Sequence, residues 1–216
     1  MYTYKNITIQ RLGHDGFLIG YRGKNICIDP FEIKETIQAD YIFITHNHRD
    51  HLSIDDITKI IKPNTIIVCP GICEENLMNI QNKKIFLEQN DNLTLDDFSV
   101  KTLPAYNIDK FRSPGVPYHP KESGFVGFVF DFDGTTIYHA GDTDIIPEME
   151  NISPDIALLP VSGVYTMTAQ EAVESIKLIK PQIAIPMHYD NIVGTIEDAK
   201  YFKENAKCEV IILQSS

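Results

Sequence analysis

An apolar run, Asp40-Tyr41-Ile42-Phe43-Ile44-Thr45, ends directly in His46-Asn47-His48-Arg49-Asp50-His51. No other feature constrains the fold as strongly. A run of that length and composition reads as a buried strand. It hands the chain to a turn carrying three imidazoles and one carboxylate within six residues. On extended backbone, residues two apart point the same way, so His46 and His48 share a side. Imidazole nitrogen and carboxylate oxygen suit Zn²⁺, Mn²⁺ or Fe²⁺. Four donors on so tight a turn crowd one tetrahedral ion. A pair of ions about 3.5–4 Å apart relieves the crowding, with His46 and His48 on one and Asp50 and His51 on the other. The alternative is a polar loop with solvated histidines. With this chain's His and Asp content, chance gives the H-x-H-x-D-H pattern on the order of 6 times in 10,000 such chains.

The rest of the chain reads as strands with interleaved helices. Strands are expected at residues 7–10, 16–20, 25–28, 65–69, 84–87, 125–132, 136–138, 155–160, 182–186 and 209–213, with β-meander material over 93–106. Helices are expected at about 54–61, closed by Pro63, and at about 72–81. Two more are expected from the capping box Thr168-Ala169-Gln170-Glu171 to about Lys180 and from Thr195 to about Ala206. Asp131-Phe132-Asp133-Gly134 reads as a hairpin turn. Residues 107–123, with Pro114, Pro117 and Pro120, read as a long loop of the kind that is functional or mobile. No linker or repeat interrupts the 216 residues, so 1–216 is expected to be a single α/β (α+β) domain.

Composition narrows the function classes. The net charge of −11 disfavours phosphate backbones as partners, so no nucleic acid is expected. No window of about 18 apolar residues is present, so no membrane span is expected. The start of the chain lacks a signal-like apolar stretch, and Cys27, Cys69, Cys73 and Cys208 have neither redox nor zinc-ribbon spacing. The expected location is cytoplasmic, with free thiols.

Two ions need further ligands. Asp142 follows the strand at 136–138, and His188 follows the strand at 182–186. Asp142 is placed to bridge two ions. The bland alternatives are an Asx-turn or N-cap role for Asp142 and a surface position for His188.

Together these motifs resemble the metallo-β-lactamase superfamily, and within it the small metal-dependent hydrolases related to L-ascorbate-6-phosphate lactonase. The resemblance rests on Leu12-Gly13-His14, Ile28-Asp29-Pro30-Phe31, Thr45-His46-Asn47-His48-Arg49-Asp50-His51-Leu52, His139-Ala140-Gly141-Asp142-Thr143 and Pro186-Met187-His188-Tyr189, in that order. It implies a four-layer αββα sandwich of the metallo-β-lactamase type. It also implies two divalent ions, Zn²⁺ first, with Mn²⁺ or Fe²⁺ as alternatives. The implied ligands are His46, His48, Asp50, His51, Asp142 as the bridge, and His188 on the second ion. One departure stands out. Relatives place a third histidine for the first ion after an Ala-aromatic pair, where this chain reads Ala105-Tyr106-Asn107. His119, on the loop twelve residues on, is the expected substitute. The rivals are a two-histidine site completed by water and a site with one ion. His14, Asp29, Asn107 and His139 are expected to line the pocket or support ligands, with Asp29 accepting a hydrogen bond from a ligand imidazole.

The expected activity is hydrolysis by a metal-bound hydroxide, with Asp50 as the catalytic residue orienting water or relaying a proton. The expected substrate is a lactone or ester of a small metabolite, phosphorylated or not. The alternatives are a phosphodiesterase or nuclease of the same fold and a non-catalytic metal-binding module. Lys110, Arg112 and Lys121 are candidate grips for an anionic substrate, or ordinary surface charge. A homo-oligomer is left open.

Overall fold

A computed structural model describes residues 1–216. The chain divides into two compact units, one formed by residues 1–88 with 213–216 and the other by residues 89–212.

The first unit is a seven-stranded sheet. Its strands are β1 (Tyr2–Tyr4), β2 (Ile7–Gly13), β3 (Gly16–Tyr21), β4 (Lys24–Ile28), β5 (Tyr41–Phe43), β6 (Ile66–Pro70) and β7 (Lys83–Leu87). They lie in sequence order across the sheet. Pairing is antiparallel from β1 to β4 and parallel from β4 to β7. The residues follow that division. β2 alternates buried and half-buried positions at its start, whereas β5 is buried throughout, as a strand of a parallel sheet must be. Helix α1 (Ile54–Ile60) begins at Ser53, whose hydroxyl accepts from the Asp56 amide. Ile57 and Ile60 face a core shared with Leu12, Cys27, Ile42, Ile44, Ile67 and Leu77.

The second unit has its own seven-stranded sheet. Its chain runs β8 (Asn92–Thr94), β9 (Ser99–Pro104), a separate hairpin of β10 (Phe111–Ser113) and β11 (Val116–Pro117), then β12 (Val126–Asp131), β13 (Thr136–His139), β14 (Ile156–Pro160), α2 (Ala169–Ile179), β15 (Ile183–Met187), α3 (Ile196–Asn205) and β16 (Glu209–Val210). The sheet order is β16-β15-β14-β13-β12-β9-β8. β13 to β16 are parallel, and β14 and β15 are fully buried. Asp131 Oδ1 accepts from the Gly134 amide at 2.7 Å and closes the β12–β13 turn, with Gly134 at φ 81°. Thr168 and Glu171 form the expected capping box on α2.

Three expectations need correction. Residues 72–81 are not a helix: a 3₁₀ turn over Gly71–Cys73 leads into a series of tight turns. Their bonds are mainly three residues back, as from Met78 N to Glu75 O and from Ile80 N to Leu77 O. Asn76 and Asn79 are of a residue type that favours turns over helix interiors, and only Cys73, Leu77 and Ile80 turn inward. Residues 107–123 are not structureless, since β10 pairs with β11 and a 3₁₀ turn covers Lys121–Ser123. The last strand is two residues rather than five, although Ile211 N still bonds Ala184 O. No helix is long and apolar enough to cross a membrane.

Candidate metal centre

In parallel sheets, functional groups gather beyond the carboxyl ends of the strands. Both units follow that rule. β4 ends at Ile28 and delivers Asp29; β5 ends at Phe43 and delivers Thr45 and His46. β13 ends at His139, three residues before Asp142; β14 leads to Ser162; β15 ends at Met187 and delivers His188.

In the first unit, Asp29 organises the histidine turn. Its Oδ1 accepts from Thr45 N at 2.8 Å and its Oδ2 from Thr45 Oγ1 at 2.7 Å. Oδ2 also faces His51 Nδ1 at 2.8 Å, in a fully buried pair. A carboxylate only accepts, so His51 carries its proton on Nδ1 and its Nε2 bears the lone pair. The same logic reaches His46. The single Thr45 hydroxyl proton goes to Asp29, so towards His46 Nδ1, at 3.0 Å, Thr45 Oγ1 accepts. His46 Nε2 is then the lone-pair nitrogen, and it lies 3.0 Å from His48 Nδ1. Nitrogens held about 2.0–2.1 Å from one Zn²⁺ ion stand about that far apart when they meet it near a right angle. His14 Nε2 contacts Asp50 Oδ2 at 3.2 Å. One ligand atom each of His14, Asp50 and His51 lies within 4.8 Å of the others.

In the second unit, Asp142 Oδ2 lies 3.2 Å from His119 Nε2 and 3.4 Å from His188 Nε2. All three side chains are buried. Asn107 fixes His119. Its Oδ1 accepts from the His119 backbone amide at 2.9 Å, which identifies that atom as oxygen, because an amide nitrogen could not accept. His119 Nδ1 faces the same oxygen at 2.9 Å and therefore carries the proton, leaving the lone pair on Nε2. Asn107 Nδ2 donates to Tyr165 O at 2.7 Å and to Asp144 Oδ1 at 3.2 Å. His188 Nδ1 pairs with Ser162 Oγ at 2.8 Å, again turning Nε2 towards Asp142. His139 Nδ1 accepts from Gly141 N at 3.2 Å, inside the loop that carries Asp142.

The backbone is strained at the same places. His14 (φ 42°), Asp29 (φ 43°), Tyr165 (φ 71°) and His188 (φ 59°) are non-glycine residues in the left-handed region. Each such residue costs of order 1–3 kcal/mol, and such costs cluster where a site needs a fixed geometry.

Sequence reasoning missed four supporting residues: Thr45, Asp144, Ser162 and Tyr165. Thr45 lay inside a motif already singled out, Asp144 directly follows another, and Ser162 follows a strand end. Tyr165 acts through its carbonyl, which no side-chain pattern can reveal. Two of the three candidate anion grips are tied up by acids. Lys110 pairs with Asp109, with Glu171 at 2.9 Å and with Asp144 at 3.4 Å. Burial alone would lower its pKa, but those acids outweigh burial and hold it above its ordinary value. Lys121 binds Glu148 at 2.7 Å and lies over the Tyr106 ring. Arg112 is exposed on β10.

Residues 8–188 match the family model described as the Beta-lactamase superfamily domain. The chain belongs to the metallo-β-lactamase superfamily. It is 32% identical to a UPF0173 metal-dependent hydrolase of Archaeoglobus fulgidus, covering 94% of each chain. It is 36% identical to the UPF0173 metal-dependent hydrolase Ta0764 of Thermoplasma acidophilum, covering 92% of this chain and 90% of that one. Among solved structures, a metal-dependent hydrolase of Parabacteroides distasonis superposes with a TM-score of 0.84 at 31% identity, covering 97% and 94%. Igni18, a metallo hydrolase of Ignicoccus hospitalis, superposes at 0.78 with 24% identity, covering 96% and 95%, and shares the fold. The protein is accordingly a metal-dependent hydrolase with the mixed α/β metallo-β-lactamase fold.

Proposed function

We propose that this hydrolase works with two divalent ions, held by His46, His48, Asp50, His51, His119, Asp142 and His188. His46, His48 and His119 take the first ion; Asp50, His51 and His188 take the second; Asp142 bridges. The observation that carries the reading is the placement of oxygen acceptors against Nδ1 of three imidazoles. In His46, His51 and His119, neighbouring acceptors hold the proton on Nδ1 and leave Nε2 as the donor nitrogen. Imidazoles held for metal binding show this arrangement, with the outer nitrogen pinned by a carboxylate or other oxygen. The donor set is nitrogen and carboxylate oxygen without thiolate, which fits Zn²⁺ first and Mn²⁺ or Fe²⁺ as alternatives. The family match runs across both units, which supports reading residues 1–216 as one hydrolase domain.

When bound, such ions supply a water nucleophile that is ionised near neutral pH and polarise the electrophile. The chain's own residues do the rest. Asp50, held by His14, orients the attacking water and passes a proton towards the leaving group. Asp29 holds two ligand rings at once, one directly and one through Thr45. The substrate we propose is a lactone or ester of a small metabolite, in line with the resemblance to L-ascorbate-6-phosphate lactonase, and the setting is the cytoplasm. A net charge of −11 works against nucleic acid as substrate.

The test is elemental analysis of chelator-free protein, for the unmodified chain and Asp142→Ala, followed by a panel of lactones, esters and phosphodiesters. Two equivalents of metal, falling in the variant, with turnover of a lactone or ester, are expected. A chain that takes up no Zn²⁺, Mn²⁺ or Fe²⁺ would overturn the ligand set. Turnover confined to phosphodiesters would overturn the substrate class.

A further inference from the structure

The root of the β10–β11 hairpin places one lysine among three acids. Lys110 Nζ pairs with Asp109, with Glu171 Oε1 at 2.9 Å and with Asp144 Oδ1 at 3.4 Å. An ammonium offers three N–H bonds and here faces three carboxylates. All four residues belong to the second unit, as do Asn107, His119 and Asp142. The Lys110 side chain is 14% exposed and that of Asp144 only 4%. A carboxylate so buried is costly unless donors and a cation offset its lost hydration. Asn107 Nδ2 and the Ile108 and Asp109 amides are the donors, and Lys110 supplies the positive charge.

Lys110 acts on both strands of the hairpin root. Its carbonyl accepts from Tyr118 N at 3.1 Å, which fixes the residue before His119. Its ammonium reaches the loop after β13, which carries Asp142 and Asp144, and the first turn of α2. There Glu171 also accepts from Thr168 N at 2.7 Å, so the acid that caps the helix is the acid that holds Lys110. Hairpin, loop and helix meet at one charge. Without that charge the three carboxylates face one another, well inside the roughly 8 Å over which charges act in physiological salt. Asp109 is exposed and can turn to water. Asp144 cannot turn without dropping the two amides at the hairpin root.

We propose that Lys110 is a positioning residue for the His119 imidazole: its ammonium locks the hairpin root to the loop after β13 and to α2, and so holds His119 beside Asp142. This rests on the reading of His119 as a ligand and deepens it. Lys110 acts through Asp144 and the hairpin backbone, and its charge is the part that matters. Groups that orient a metal-bound imidazole are worth about 10–100-fold in metal affinity.

The test compares the unmodified chain with Lys110→Met, which keeps the length and removes the charge, and Lys110→Arg, which keeps the charge. Each is stripped with chelator and titrated with Zn²⁺ by calorimetry. Amide exchange at Ile108, Asp109 and His119 is followed by NMR in the metal-free chains. In Lys110→Met, Zn²⁺ binding is expected to weaken about tenfold at one of two sites and by less than about threefold at the other, with faster exchange at the three amides. Lys110→Arg is expected to bind both ions within about threefold of the unmodified chain. Unchanged affinity at both sites, or an equal loss at both, overturns the proposal, because a lysine that only stabilises the fold lowers the melting temperature without singling out one ion. A loss in Lys110→Arg as large as in Lys110→Met overturns the role of the charge. Should Lys110→Met fail to show the unmodified chain's circular dichroism, Glu171→Gln decides, since glutamine also serves in a capping box but loosens the hold on Lys110. A loss of about threefold at one site supports the proposal, and no loss overturns it. His119→Ala is titrated alongside: if it binds both ions as the unmodified chain does, the ligand set itself falls, and this inference with it.

Discussion

Replacing Asn107 with alanine tests whether this residue is the support of His119. The side chain makes four contacts: to His119 N at 2.9 Å, His119 Nδ1 at 2.9 Å, Tyr165 O at 2.7 Å and Asp144 Oδ1 at 3.2 Å. A buried hydrogen bond contributes about 1 kcal/mol net, which sets an upper bound of about 4 kcal/mol. Part of that is regained. His119 Nδ1 also lies 3.2 Å from Tyr165 O, so these two groups satisfy each other when Asn107 is cut back. The expected loss is about 2–3 kcal/mol. For a chain of this size, 1 kcal/mol moves the melting temperature by about 2–4 °C, so the metal-free protein should melt about 4–12 °C lower. Removing a group that orients a metal-bound imidazole costs about 10–100-fold in metal affinity. Because Tyr165 O keeps the proton on Nδ1, the lower end, about tenfold, is expected here, at the first of the two proposed sites. Calorimetric melting of the stripped chain and calorimetric metal titration read the two effects separately. A variant that melts within about 1 °C of the unmodified chain and binds both ions equally well would refute the reasoning. So would an intact first site beside a large loss of stability.

Three further outcomes follow from the local geometry. Thr168→Ala removes the hydroxyl that caps α2 and should lower stability by about 1 kcal/mol, read as a shift of the urea midpoint at unchanged slope. At Asp56, burial alone would raise the carboxyl pKa, but hydrogen bonds from Ser53, Lys59 and the Ile33 and Glu32 amides outweigh it and hold it below the usual carboxylate value. Its contribution is thus full above the unfolded carboxylate pKa of about 4 and is lost as pH falls through the folded value, so Asp56→Asn should flatten the stability curve below about pH 4 in urea unfolding. Cys27 and Cys73 are buried, and their thiols are held well above the ordinary range, chiefly by burial for Cys27 and by contact with Cys69 for Cys73. A thiol reagent should therefore label only Cys208 in the native chain and all four cysteines in denaturant, counted by mass spectrometry.

How much of this could be read beforehand depended on how local the determining physics is. β5 declares itself because a strand buried on both faces must be apolar throughout, and its end is fixed by the sudden arrival of His46. α2 declares itself through Thr168 and Glu171, which meet within one turn. The stretch at 72–81 misleads because Cys73, Leu77 and Ile80 have helical spacing and turn inward, whereas the backbone between them closes mainly in three-residue turns. Periodicity reports which residues share a buried face and not which backbone bonds close.

The support of His119 marks the boundary more sharply. Asn107 and His119 are twelve residues apart, and β10–β11 is the hairpin that folds the chain back between them: Asn107 N bonds His119 O, and the Asn107 side chain returns two bonds. A loop of that length closes at an entropic cost that changes slowly with its length, so sequence distance neither forbids nor requires the encounter. What fixes it is Asp144, whose Oδ2 accepts from Ile108 N at 2.7 Å and Asp109 N at 3.0 Å. That carboxylate sits two residues beyond Asp142, so the strand end that presents Asp142 also anchors the hairpin that presents His119. A histidine on a loop keeps its place beside Asp142 only if the loop is tied to the same strand end. The tie is a carboxylate donating nothing and accepting two backbone amides, a role any short acid in a turn could fill, and one that becomes specific only once the chain has folded.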